Sequence, residues 1–195
     1  NLTAPTERFA QRIFYFHVPA AWIGFLAFIV SAVTAVLYLV TRNEKWDVWG
    51  LSSVEIGLAF FTMVMFSGPI WAKPTWNVWW TWDPRLTTAT IMILIYAAYL
   101  MLRAGIEDPD RRARFGAVYA IVGFLSVPLT FFSARLFRTI HPVVVGTNQP
   151  GAEGSFDMTT KMLQTFLFSL LVFSFIFAGL LWHRIRLGPD RPGAR

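Results

Sequence analysis

The sequence contains no cysteine, which rules out disulfides and thiolate metal sites. Charge is also scarce. Asp, Glu, Lys and Arg make up 14% of the 195 residues, against about 25% in ordinary soluble domains. The formal net charge is +6, but apolar runs interrupt the basic residues, no basic helix or stripe forms, and nucleic acid is not implied. G-x-x-x-x-G-K-[ST], G-x-S-x-G and H-E-x-x-H are all missing, which excludes the nucleotide, hydrolase and zinc chemistries that depend on them. The chain does not open on a methionine or a signal peptide, and a further N-terminal piece is expected before Asn1. What remains is 55% hydrophobic and 17% aromatic, with a mean hydropathy of +0.51. The expected class is an all-α integral membrane protein, with residues 1–195 forming a single transmembrane domain.

Five apolar runs are long enough to span a bilayer as helices: Val18–Thr41, Val54–Trp71, Leu86–Leu102, Phe115–Ala134 and Met162–Trp182. Pro19 favours a first helical turn, and Pro128 predicts a kink or break in the fourth span. Arg42–Gly50 and Arg103–Arg114 read as polar connections. Gly146–Ser155 reads as a flexible Gly-rich piece, and the tail from about residue 187 as disordered. Ten basic residues fall in Arg42–Gly50, Arg103–Arg114 and His183–Arg195, and seven on the opposite side: Arg8, Arg12, Lys73, Arg85, Arg135, Arg138 and Lys161. The richer side is expected to be cytoplasmic. Glu55 then lies near the inner surface, in an interfacial or snorkelling role rather than a proton relay.

The densest chemical signal is Trp71–Thr87, which reads WAKPTWNVWWTWDPRLT and holds five of the nine tryptophans. It joins the second and third spans, so its indoles stand at the lipid boundary. Asp83 suits an N-cap and Pro84 the first helical position, ahead of the apolar run from Leu86. Indoles at this depth are either an aromatic belt or a platform for a large, flat, apolar ligand. A belt does not need five in one loop, with Trp79 and Trp80 adjacent. Trp22 and Trp182 read as span-end tryptophans away from it. Two histidines, His17 and His141, each sit beside a proline near a span boundary on the same side as the loop. Position alone makes either an interfacial side chain. His183 lies among arginines at the inner end of the last span and reads as structural. Arg85 falls in a first helical turn, where the dipole disfavours a cation, so a nearby anion is expected, either a ligand's or Asp83 itself.

The run Trp76-Asn77-Val78-Trp79-Trp80-Thr81-Trp82-Asp83-Pro84-Arg85-Leu86-Thr87 resembles the WWD signature of heme-handling membrane proteins. Size and flanks are similar to the cytochrome c maturation protein C family (CcmC, also called heme exporter protein C). Asn77 stands where that family often has Gly. The family has six spans, so the resemblance implies a first span before Asn1. It also implies that His17 and His141 are the two axial ligands of a heme iron, imidazole being a common choice. Trp76, Trp79, Trp80, Trp82 and Asp83 would belong to the loop that holds the exposed heme edge. Arg12, Arg85, Arg135 and Arg138 are the cations on hand for the propionates. The implied function is binding heme b as cargo at the outer face of a bacterial inner membrane, with a cytoplasmic C-terminus, and delivery to the periplasmic heme chaperone CcmE. The small membrane protein CcmD and the ABC transporter subunits CcmA and CcmB are the implied partners, with membrane lipid around them. Such a chain is a binding and delivery protein rather than an enzyme. The alternatives are a b-type electron-transfer cytochrome and a membrane subunit of a heme transporter.

Overall fold

A computed structural model of the chain describes residues 5–141 and 160–188. The expectations for Gly146–Ser155, for Arg8's side chain and for the tail beyond Gly188 fall outside the described residues. Six helices follow in order: α1 (Pro5–Thr41), α2 (Glu44–Trp76), α3 (Pro84–Ala104), α4 (Pro109–Phe124), α5 (Ser126–Leu136) and α6 (Thr160–Leu187). There is no strand among the described residues. α4 and α5 together make one span, so five helical segments are long and apolar enough to cross a membrane. The protein is an all-helical, multipass membrane protein.

The helices run further than the apolar pattern predicts. Arg42–Gly50 is not a loop. Asn43 caps α2 through the Lys45 amide at 3.1 Å, and Glu44 and Asp47 sit in the first turn, where acidic groups suit the dipole. Arg103–Arg114 shrinks likewise, because Asp108 caps α4 through the Arg111 amide at 2.7 Å and Pro109 opens it. Pro19 lies inside α1, not in its first turn. α2 continues through Pro69 and Pro74 to Trp76. Prolines within spanning helices are tolerated because neighbours re-satisfy the freed carbonyls. Pro128 behaves as expected. It offers no N–H to the Phe124 carbonyl, and the helix is interrupted at Leu125.

α1 and α2 form a close antiparallel hairpin that carries the largest share of the packing, with α4 and α6 against α1 and with α3 against α4 and α5. The hairpin is close because two glycines face two rings. A methyl on Gly24 would come 2.5 Å from Phe61, and one on Gly57 2.8 Å from Phe28. Those rings stack on each other at 5.6 Å, and Phe28 stacks on Tyr96 of α3 at 3.7 Å. Two ion pairs tie the helices at the end away from the tryptophans. Arg103 forks onto Asp47 at 2.6 and 2.7 Å. Glu55 is not a lone interfacial carboxylate, since Arg184 of α6 forks onto it at 2.7 and 3.0 Å.

Candidate functional site

At the other end, where α1 begins, α2 ends, α3 begins and α5 ends, the helices splay around a cavity of about 380 Å³. α1 presents Phe14, His17, Val18, Ala21, Trp22 and Phe25 to it, and α2 presents Phe61, Val64, Met65, Gly68, Ala72, Thr75 and Trp76. These are one helical stripe on each partner, at spacings of three and four. Trp79 and Trp80 close the cavity from the connection, Arg85 and Leu86 from α3, Thr130, Phe131 and Arg135 from α5, and His141 from beyond it.

The tryptophan stretch is therefore two structures. Trp71 and Trp76 belong to α2, where their rings meet edge to face at 5.0 Å. The true connection is Asn77–Asp83. Asn77 ends α2 in the left-handed region at φ 59°, which glycine and asparagine adopt most readily. Lys73 locks that end by donating to the Asn77 carbonyl at 3.0 Å and to its side-chain oxygen at 3.2 Å. Trp79 stands 60% exposed at the rim. Trp80 lines the cavity and meets Trp82 edge to face at 5.6 Å. Trp82 is 72% exposed and points away from the cavity.

His17 lies within α1, not in a connection. Its Nδ1 lies 2.9 Å from Ser67 Oγ of α2, and Gly68 leaves room for the ring edge. His141 follows the end of α5, with its ring 6.2 Å from that of Trp76. Its backbone N–H donates to Thr139 Oγ1 at 3.0 Å, and the Thr139 hydroxyl donates to Asp83 Oδ2. Asp83's other oxygen accepts from the Leu86 amide at 2.9 Å, the expected cap. Asp83 thus faces its own helix and the His141 segment, not the cavity, and no ion pair joins it to Arg85.

Arg85 lines the cavity and donates one hydrogen bond, to the Phe131 carbonyl at 3.3 Å. Arg135 lines it beside Phe131 and Phe132, whose ring centres lie 5.3 and 5.6 Å from its guanidinium. Arg138 is exposed and does not reach the lining, and neither does Arg12. His183 lies near the far end of α6, away from this site. Of the residues singled out in the sequence, the cavity gathers His17, His141, Trp76, Trp79, Trp80, Arg85 and Arg135. It leaves out Trp82, Asp83 and Arg138.

Two features of the site escaped the sequence reading, one in the cavity lining and one behind it. Trp22, taken as a span-end anchor, lines the same cavity and packs on Phe131 at 5.9 Å. Its spacing from His17 and Phe25 was the available signal. Ser67 had none, because its partner is fifty positions away.

Chemically, the site is an apolar slot with aromatic walls, two imidazoles and two guanidinium groups, and no carboxylate among its described lining residues. That combination suits a flat apolar ligand with an anionic edge and a metal centre that takes nitrogen donors. The family model described as heme exporter protein C matches residues 4–188. The chain is 34% identical over 130 residues to a heme exporter protein C of Bradyrhizobium diazoefficiens, covering 67% of this chain and 49% of that protein. It is 28% identical over 179 residues to the one of Rhodobacter capsulatus, covering 90% and 71%. Against the one of Escherichia coli (strain K12) it is 28% identical over 132 residues, covering 68% and 54%. The chain thus spans about half the length of the Bradyrhizobium relative. A match over nearly all the described residues, on a fold that builds this slot, means that the chain belongs to the heme exporter protein C family.

Proposed function

We propose that this chain handles heme for cytochrome c maturation, as a single transmembrane domain that binds heme b as cargo and passes it on. His17 and His141 are the iron ligands, one from α1 and one from the segment after α5. Trp76, Trp79, Trp80 and Trp22 bound the porphyrin, and Arg85 and Arg135 take the propionates by charge-assisted hydrogen bonds. Trp82 and Arg138, exposed just outside the slot, stand where a receiving protein would meet the cargo. Asp83 acts on the loop and on His141 rather than on the ligand.

The carrying observation is the convergence itself: one apolar cavity at one end of the bundle collects both histidines, Trp76, Trp79, Trp80 and two arginines from six chain segments. Placement at an end rather than in the middle supports presentation at a membrane face over electron transfer through the bilayer. The face is read as periplasmic, with the C-terminus cytoplasmic in a bacterial inner membrane. The receiver is a periplasmic heme chaperone of the CcmE kind, and CcmA, CcmB and CcmD are the assembly partners. The chain contributes binding and positioning, not bond making, and no catalytic group is assigned.

The test is the absorption spectrum of the purified protein with its His→Ala variants. Wild-type protein should carry a heme spectrum with two nitrogen axial ligands. His17→Ala and His141→Ala should each change the axial-ligand bands, and His183→Ala should leave them unchanged. A His183→Ala protein that behaves like the other two would remove the ligand assignment.

A further inference from the structure

We infer that Ser67 is the positioning residue for His17: it holds the imidazole as the Nδ1–H tautomer and so keeps Nε2 unprotonated on the cavity side. The argument starts from proton counting. The Ser67 hydroxyl has one hydrogen and three contacts: two backbone carbonyls, Met63 at 2.8 Å and Val64 at 3.3 Å, and His17 Nδ1 at 2.9 Å. A carbonyl can only accept, so the hydroxyl hydrogen goes to Met63, one turn back along α2. The oxygen's lone pair then faces Nδ1, and Nδ1 must be the donor. In a neutral imidazole this leaves Nε2 as the bare nitrogen. Among the described residues the hydrogen bond that His17 makes through its ring is the one at Nδ1.

Gly68 completes the seat. A methyl there would lie 3.3 Å from His17 Cε1, tighter than an ordinary contact, so the absence of a side chain lets the ring lie close against α2. The ring is thus held by a hydrogen bond at one nitrogen, and a side chain at position 68 would crowd the carbon between its two nitrogens. A metal ligand needs an unprotonated nitrogen whose ring orientation is set by the bond made at the other. That the free Nε2 serves iron rests on the reading of His17 as a heme ligand given above. The tautomer itself does not.

The two parts can be tested separately. The first measurement is nitrogen NMR of the full chain, heme-free in lipid nanodiscs, with ¹⁵N-labelled histidine. With three histidines, His17 is assigned by the signals lost in His17→Ala. The wild type should show a protonated Nδ1 and an unprotonated Nε2. Ser67→Ala should lose this bias and move toward the Nε2–H form, and Ser67→Thr, which keeps a hydroxyl, should retain it. A wild-type His17 found as Nε2–H overturns the inference without any variant. A Ser67→Ala protein with an unchanged tautomer overturns it as well. The second measurement is hemin titration of the same proteins. Loss of such an outer partner typically weakens metal binding about 10- to 100-fold, and that loss is expected for Ser67→Ala with recovery in Ser67→Thr. If the tautomer is as stated but hemin absorbance does not depend on His17, the ligand reading falls and the role of Ser67 in setting the ring stands.

Discussion

At the scale of single residues, the cavity separates tryptophans that composition treats alike. Trp80 and Trp22 line it. Trp182 is 56% exposed, under the Arg186 guanidinium at 4.4 Å. An anchoring indole can be exchanged for another interfacial aromatic with little effect. An indole packed on a ligand contributes shape, and its loss resembles a core Trp→Ala change, about 3–5 kcal/mol when fully enclosed. Trp80 and Trp22 are only partly enclosed, so Trp80→Ala and Trp22→Ala should each weaken heme retention by about tenfold or more, roughly 1.4 kcal/mol. Membrane abundance should not change. Trp182→Ala should alter neither. Trp82→Ala, whose indole touches Trp80 but not the cavity, should retain heme better than Trp80→Ala and lose more in transfer to a receiver. Heme dissociation rates of the purified proteins decide this, and equal losses for Trp80 and Trp182 would leave an aromatic belt as the better description.

At the scale of elements, the caps were legible and the helix lengths were not. Asp83 before Pro84 announced the start of α3 because capping chemistry is local. Pro128 announced the interruption at Leu125 for the same reason. The ends of α1 and α2 were misplaced because prolines and polar first turns look like loops when read one at a time. Cutting α2 at Trp71 also cut its cavity stripe, so the regular spacing from Phe61 to Trp76 was lost, and with it Trp22 on the facing helix. Contacts between distant segments, such as Ser67 with His17, leave no periodic trace. The pair Asp47–Arg103 is of the same kind: each residue read as part of a polar connection, yet Arg103 is only 6% exposed. Its guanidinium lies over Gly116, where a methyl would come 2.5 Å from Nη1. Removing one partner of a buried pair strands the other charge, at a cost of roughly 3–5 kcal/mol. Asp47→Asn should therefore lower the thermal unfolding midpoint of the detergent-solubilised protein sharply. Asp47→Asn with Arg103→Met, which removes both charges, should recover part of the loss. A double variant no more stable than Asp47→Asn would mean the carboxylate has another role.

At the scale of the whole molecule, the two ends of the bundle differ. The fold segregates its chemistry by end. The slot with its imidazoles, indoles and guanidinium groups occupies one end, and the forked pairs Asp47–Arg103 and Glu55–Arg184 brace the other. The braced end also carries the short turns at Arg42–Asn43 and Gly105–Asp108 and the last turn of α6, with Arg184 and Arg186. A braced base with an open top is consistent with the proposed holding of heme at one membrane face. The proposed orientation follows the Lys and Arg distribution, whose excess lies at the braced end, the side expected to be cytoplasmic. The excess is modest, ten basic residues against seven, so the orientation calls for a direct measurement, and the lack of native cysteine makes one clean. Val78, in the tryptophan connection, is 39% exposed, and Glu107, in the α3–α4 turn, is exposed at the other end. Neither side chain caps a helix. In intact cells, Val78→Cys should react with a membrane-impermeant maleimide, and Glu107→Cys should react only after the membrane is opened. The reverse pattern would turn the slot toward the cytoplasm. Presentation to a periplasmic chaperone would then be impossible for this chain, even with every residue in the cavity correctly assigned.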